Sequence, residues 1–250
     1  MTRYIQRHSR LARVTHGVAA VSCIFLALTG VAVFTPAISE ALGGTFVYWM
    51  RMLHRIAAVP FILFPLIALV RSPKGAAHLF KNNIFGKWDK DDWEFARKFV
   101  PYLFNPQKVH MPPQHEVKGA QRMADGGLVI MGILMALSGL VMWAEAGWIP
   151  GSTGIAMSAS LIWAAHIIHD IGFLVIIVFG LGHIYLGAGI FQPYKGTANL
   201  MWGDGKVSEA DAAYHWGYWA NNELAIGKNV VEVKDGEKKR GDTASEGWEK

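Results

Sequence analysis

Between Val14 and Met50 the sequence carries one charged side chain, Glu40, and between Gly126 and Tyr194 it carries two, Glu145 and Asp170. Stretches of that length cannot form the outer surface of a water-soluble domain, which spreads charge over all its faces. Across 250 residues only 17% are charged and 52% are apolar, with 10 Trp. The chain therefore has long segments that face something other than water. Its net charge of +5 does not indicate a nucleic-acid surface, because Lys and Arg gather at the ends of the apolar runs, as membrane orientation requires.

A bilayer core needs about 20 mostly apolar residues per helix. Four segments satisfy this, at about residues 11–35, 47–70, 124–148 and 158–191, with Pro60 and Pro65 inside the second. They predict an all-α integral membrane protein, a four-transmembrane-helix bundle over residues 1–191 with a tail at 192–250. The first apolar run is longer than the core of a signal peptide and is read as a retained span. The N-terminal arm holds four Arg and the connection at 71–123 ten Lys or Arg, whereas the connections at 36–46 and 149–157 hold none. Lys and Arg mark the cytoplasmic side. Both termini and the 71–123 loop are thus expected in the cytoplasm of a bacterium, and the protein in its inner membrane. Trp49, Trp143 and Trp148 sit where interfacial anchors belong. Trp88–Phe104 reads as an amphipathic helix on the membrane surface, and the polar chain after Glu223 as extended or poorly ordered.

Cys23 is the single cysteine, so the chain makes no internal disulfide and no Cys-ligated iron–sulfur cluster, and it lacks a C-x-x-C-H haem attachment. Histidine carries the chemistry instead. An ionisable group inside a span is costly and by default functional. Four of the ten His fall at informative depths: His16 near one end of the first span, His54 in the second, and His169 and His183 in the fourth. His169 and His183 are fourteen residues apart, close to four turns, so they share a face and lie about 21 Å apart along the axis. Depth pairs His16 with His183 and His54 with His169. Two bis-histidine irons result, a di-haem core. His166 is the alternative to His169, but it lies about 100° off the face of His183. His8, His78, His110, His115 and His215 fall outside the spans and are expected at the surface. Gly17, Gly180 and Gly182 flank the ligands, where a porphyrin needs room or helices pack closely. Arg51 and Arg55 lie one turn apart beside His54, placed either for haem propionates or for interfacial snorkelling.

At these residues the sequence resembles the gamma subunit, a cytochrome b, of membrane-bound formate dehydrogenase of the FDH-N type, within a broader di-haem cytochrome b group that includes nickel–iron hydrogenases. The resemblance covers about residues 10–208. It is carried by R-x-x-H at Arg13–His16, Thr29–Gly30, R-x-L-H at Arg51–His54, G-x-Q-R-M at Gly119–Met123, the His169–His183 interval, Lys195–Gly196 and Gly205–Ser208. It implies two haem b and an electron path from a periplasmic molybdenum or tungsten alpha subunit. An iron–sulfur beta subunit with its own membrane helix would feed the haems, which would pass electrons to menaquinone or ubiquinone near the cytoplasmic side. Formate oxidation would occur in the partner, and this chain would be the quinone-reducing subunit, with room for a higher oligomer of heterotrimers. For the quinone, the resemblance points to Gln121 and to the position of Lys118, where the family carries Asn. Two other readings compete. One is the cytochrome b subunit of another periplasmic oxidoreductase, a hydrogenase or thiosulfate reductase. The other is a haem-free membrane anchor.

Overall fold

The computed structural model describes residues 2–190, 194–227 and 229–233. In chain order the elements are β1 (Thr2–Gln6), α1 (Arg10–Phe34), α2 (Pro36–Arg71), α3 (Pro73–Asn83), α4 (Lys90–Phe104), α5 (Gly119–Glu145), α6 (Ala159–Gly187), α7 (Asn199–Trp202), β2 (Lys206–Ser208), α8 (Glu209–His215), α9 (Gly217–Ile226) and β3 (Val230–Val233). Among the described residues, α1, α2, α5 and α6 are long and apolar enough to cross a membrane. In its main architecture the chain is that of an all-α integral membrane protein.

The residues fall into two compact units. A helical unit comprises Thr15–Arg71 and Gly127–Gly180. Its packing inverts that of a water-soluble domain. The buried positions are small or weakly polar, namely Ser22, Thr29, Ala32, Ser138, Ala144, Gly147, Ala165 and Gly172. Large apolar side chains such as Leu28, Ile56, Val70 and Val178 are 64–80% exposed. Lipid is as apolar as leucine, so burying leucine gains little there, whereas small residues let helix backbones approach.

The helices differ at their ends from the spans read in the sequence. α2 begins at Pro36 rather than near residue 47, so the expected short connection at 36–46 is itself largely helical. Pro36 suits a first helical turn, where its missing N–H costs nothing, and the backbone N–H groups of Ile38 and Ser39 both reach the Thr35 carbonyl. Gly43, at φ 80° and ψ 169°, breaks this short piece from the long helix that follows. α5 begins at Gly119, ahead of residue 124. Two glycines let that end approach its neighbours: a Cβ at Gly119 would lie 2.7 Å from the Asp92 carbonyl, and one at Gly126 would lie 2.5 Å from that of Asn83.

The second, mixed unit gathers Met1–Val14, Ser72–Gly126 and Leu181–Lys250. The N-terminal arm was expected only as a basic flank, yet it forms the central strand of an antiparallel sheet ordered β2-β1-β3. Tyr4 pairs with both Ser208 and Val231. The core beneath the sheet consists of Ile5, Leu200, Val207, Ala212, Trp216, Trp219 and Ala220. The chain after Glu223, expected to be extended or poorly ordered unless a partner holds it, is instead helical to Ile226 and is an extended strand at Val230–Val233. α9 runs on to Ile226, and β3 is held by β1 through long-range pairing that no local pattern announces. Phe191 at the end of the fourth expected span, the opening of the tail at 192–193, and its Lys/Glu/Gly-rich end from 234 lie outside the described residues.

In the mixed unit α4 has two faces. Asp92, Phe95 and Tyr102 are buried, whereas Trp93, Val100 and Phe104 form an exposed apolar stripe. Asp89 caps the helix by accepting from the Asp92 N–H at 2.8 Å, and Asp92 returns the bond to the Asp89 N–H at 3.2 Å. Asp92 also accepts from Arg122 Nη1 at 3.0 Å, and both side chains are buried. Asp92→Ala removes the cap partner and strands a buried guanidinium. It is expected to destabilise the protein by about 3–5 kcal/mol, read as a lower unfolding midpoint in detergent. Adding Arg122→Ala should recover part of that loss.

Candidate functional site

In the helical unit, α2 and α6 bring His54 and His169 together edge to face, with ring centroids 6.2 Å apart and planes at 63°. The two rings are supported in the same way by the other two helices. His54 Nδ1 lies 2.9 Å from Thr29 Oγ1 on α1, and His169 Nδ1 lies 3.0 Å from Ser138 Oγ on α5. Each hydroxyl already donates its one proton to the carbonyl four residues back, Thr29 to Phe25 at 2.7 Å and Ser138 to Leu134 at 2.8 Å. It must then accept from the imidazole, so Nδ1 carries the ring proton in both histidines and Nε2 keeps a free lone pair.

Glycine follows each hydroxyl. A Cβ at Gly30 would sit 3.6 Å from His54 Cε1, and one at Gly139 would sit 3.2 Å from His169 Cε1. The rings thus lie against bare backbone. His166, the alternative to His169, is exposed on the surface of the unit, whereas His169 is half-buried.

This geometry fits an iron held between two imidazoles. With rings this close, His54 and His169 would hold a haem iron through one Nε2 each, and the haem would supply one-electron chemistry there. The described residues contain no cluster of three or more His, Cys, Asp or Glu arranged to hold a metal ion. Two protein ligands suffice when a porphyrin supplies the other four.

Arg51 and Arg55 line a cavity of about 600 Å³ with Glu40, Tyr48 and Pro150. Arg55 lies 5.7 Å from the Trp143 ring centroid and donates to the Gly147 carbonyl at 3.4 Å, which ties α2 to the α5–α6 connection.

His183 belongs to the mixed unit, where its Nδ1 lies 2.9 Å from Asp125 Oδ1. Gln121, one turn earlier on α5, donates from Nε2 to Asp125 Oδ2 at 2.8 Å. His16 is half-buried in the helical unit.

Lys118 takes a different environment from Gln121. It is buried, with Nζ 3.3 Å from His215 Nδ1 and 4.6 Å and 5.0 Å from the ring centroids of Tyr194 and Trp216. His215 was expected at the surface and is instead 4% exposed, stacked on Tyr194. Its neighbours in the fold are drawn from three separate segments, which sequence position alone does not reveal. Arg7 lies 4.0 Å from the Trp216 ring centroid and donates to the Glu116 carbonyl.

Sequence reasoning missed Ser138, Gly139 and Asp125. Ser138 repeats the hydroxyl–glycine pair of Thr29–Gly30 in the middle of an apolar span, and that repetition was the available signal. Asp125 was signalled by its four-residue spacing from Gln121, one helical turn.

A fold of four membrane helices with paired, lone-pair-presenting imidazoles defines an integral membrane cytochrome b. The chain matches the prokaryotic cytochrome b561 family over residues 7–203 and belongs to that family. Membership implies a b-type haem and a role in electron transfer. The comparison with curated proteins found no match.

Burial dominates the ionisation of the Lys118 cluster. It holds the Lys118 amine and the His215 ring well below their usual values, with Lys118, Arg7 and His215 also repelling one another. Burial lowers Arg7 to about 10 against the raising influence of Glu116 and Asp125. A histidine kept neutral by folding gains protons only when unfolded, so stability falls as pH drops below the ordinary value of 6.5. Lys118 acts in the same direction from 10.5 downwards. His215→Gln should therefore flatten the loss of unfolding temperature between pH 7.5 and 5. Lys118→Met, which removes a buried amine from an aromatic cage, should raise that temperature at pH 7. Both are read by thermal unfolding in detergent.

Proposed function

We propose that this chain is the di-haem b membrane subunit of a respiratory formate dehydrogenase, passing electrons from an iron–sulfur partner across the bilayer to quinone. The observation that carries the reading is the His54–His169 pair, whose 6.2 Å spacing suits one iron and whose hydroxyl partners leave Nε2 available on both rings. A b haem bound there supplies reversible one-electron chemistry at iron. The side chains do the rest: Thr29 and Ser138 fix the tautomers, Gly30 and Gly139 admit the rings against backbone, and Arg51 and Arg55 offer cations to propionates.

The second iron is assigned to His16 and His183. Its support is the helix arithmetic of α6, which carries both His169 and His183 on one continuous element four turns apart. In this reading the His54–His169 haem lies towards the periplasm and receives electrons from the iron–sulfur beta subunit. The His16–His183 haem lies towards the cytoplasm beside quinone, with Gln121 and Lys118 at the quinone end. Both termini and the 71–123 segment face the cytoplasm of the inner membrane, consistent with their Lys and Arg content.

The resemblance at Gly119–Met123 and Gly205–Ser208 favours formate as the alpha subunit's substrate over hydrogen or thiosulfate. Either of those alternatives keeps the same haem chemistry and changes the donor alone. Identifying the catalytic subunit that copurifies, and its metal, decides among them.

Reduced-minus-oxidised spectra with pyridine-haemochrome counting should give two non-covalent b haems per chain. His54→Ala and His169→Ala should each remove the same haem, and His16→Ala and His183→Ala the other. One haem per chain, or crossed losses, would overturn the pairing.

A further inference from the structure

The two ends of α6 give their histidines chemically different partners. His54 and His169 donate from Nδ1 to neutral hydroxyls that are themselves spent on backbone carbonyls. His183 meets a carboxylate instead, Asp125 Oδ1 at 2.9 Å, and that carboxylate is fixed from its other oxygen by the Gln121 amide at 2.8 Å. The arrangement is a Gln–Asp–His chain on two helices of one compact unit.

We infer that Asp125 is the positioning residue that holds His183 with its Nε2 lone pair towards iron and sets the reduction potential of that haem apart from the other. The inference rests on the reading of His183 as an axial ligand. A carboxylate accepting from Nδ1 orients the ring and raises its basicity. A more electron-rich imidazole stabilises ferric over ferrous iron, so the haem on His183 has a lower midpoint potential than a neutral partner would give it. A hydroxyl that has already donated its proton polarises an imidazole far less than a full negative charge does. The haem between His54 and His169 lacks that influence. Gln121 holds the carboxylate in line, which gives it a structural duty separate from any contact with quinone.

The experiment is a redox titration of the whole membrane protein, followed optically and by electron paramagnetic resonance of the low-spin ferric haems. Asp125→Asn keeps shape and a hydrogen-bond acceptor while removing the charge. It should retain both haems and shift one midpoint upwards, and the shifted component should be the one absent from His183→Ala. Thr29→Val with Ser138→Ala should leave that component in place and alter the other. An Asp125→Asn protein with full haem content and both midpoints unmoved would overturn the inference. So would a shift confined to the component that survives in His183→Ala. If the unaltered protein held fewer than two haems, or His183→Ala lost none, the ligand assignment itself would fall, which is a distinguishable result.

Discussion

A hydroxyl has one proton to give, and in the helical unit that proton is committed. Thr29 and Ser138 donate to carbonyls of their own helices, at Phe25 and Leu134, so each can only accept from the imidazole that faces it. The consequence runs through the site. Nδ1 of His54 and His169 must be protonated, Nε2 must be bare, and the two bare nitrogens belong to rings whose centroids lie 6.2 Å apart. Without those hydroxyls each ring could take either tautomer and rotate about its side-chain bonds. A buried polar atom in an apolar medium needs its partner, and the partner here also decides which nitrogen does chemistry.

The same requirement explains the composition of the helix contacts. In lipid, leucine gains little from burial, so the interior of the unit is left to groups that pack closely or hydrogen-bond. Ser22, Thr29, Ala32, Ser138 and Ala165 occupy it. Gly30 and Gly139 extend the logic to the histidines, since a side chain there would press on the imidazole edge. The mixed unit obeys the opposite rule. Its core is Ile5, Leu200, Val207 and two Trp, and its polar burials are costly and specific: Asp92 with Arg122, and Lys118 with His215.

Much of this was readable in advance. Charge-poor runs at 14–50 and 126–194 pointed to the spans, and helical periodicity put His169 and His183 on one face. The preference for His169 over His166 follows from the same rotation, and His166 lies exposed. The partners of those histidines were not readable. Thr29 is twenty-five residues from His54, Ser138 thirty-one from His169, and Asp125 fifty-eight from His183. No periodic signal spans such separations. The β1 strand and its pairing with residues 206–208 and 230–233 were hidden for the same reason, and so was the burial of His215.

By itself the sequence determined the solvent and the inventory: a chain with too little charge to face water, four apolar helices, and histidines at depths where an ionisable group needs a purpose. Those are properties of composition and local spacing, which hold whatever the tertiary arrangement. Only the folded structure decided which hydroxyl meets which ring, that a carboxylate rather than a hydroxyl stands behind His183, and that residues 2–6, 206–208 and 230–233 build one small sheet. These are contacts between distant segments. Their geometry is fixed by packing, and no residue's identity announces it.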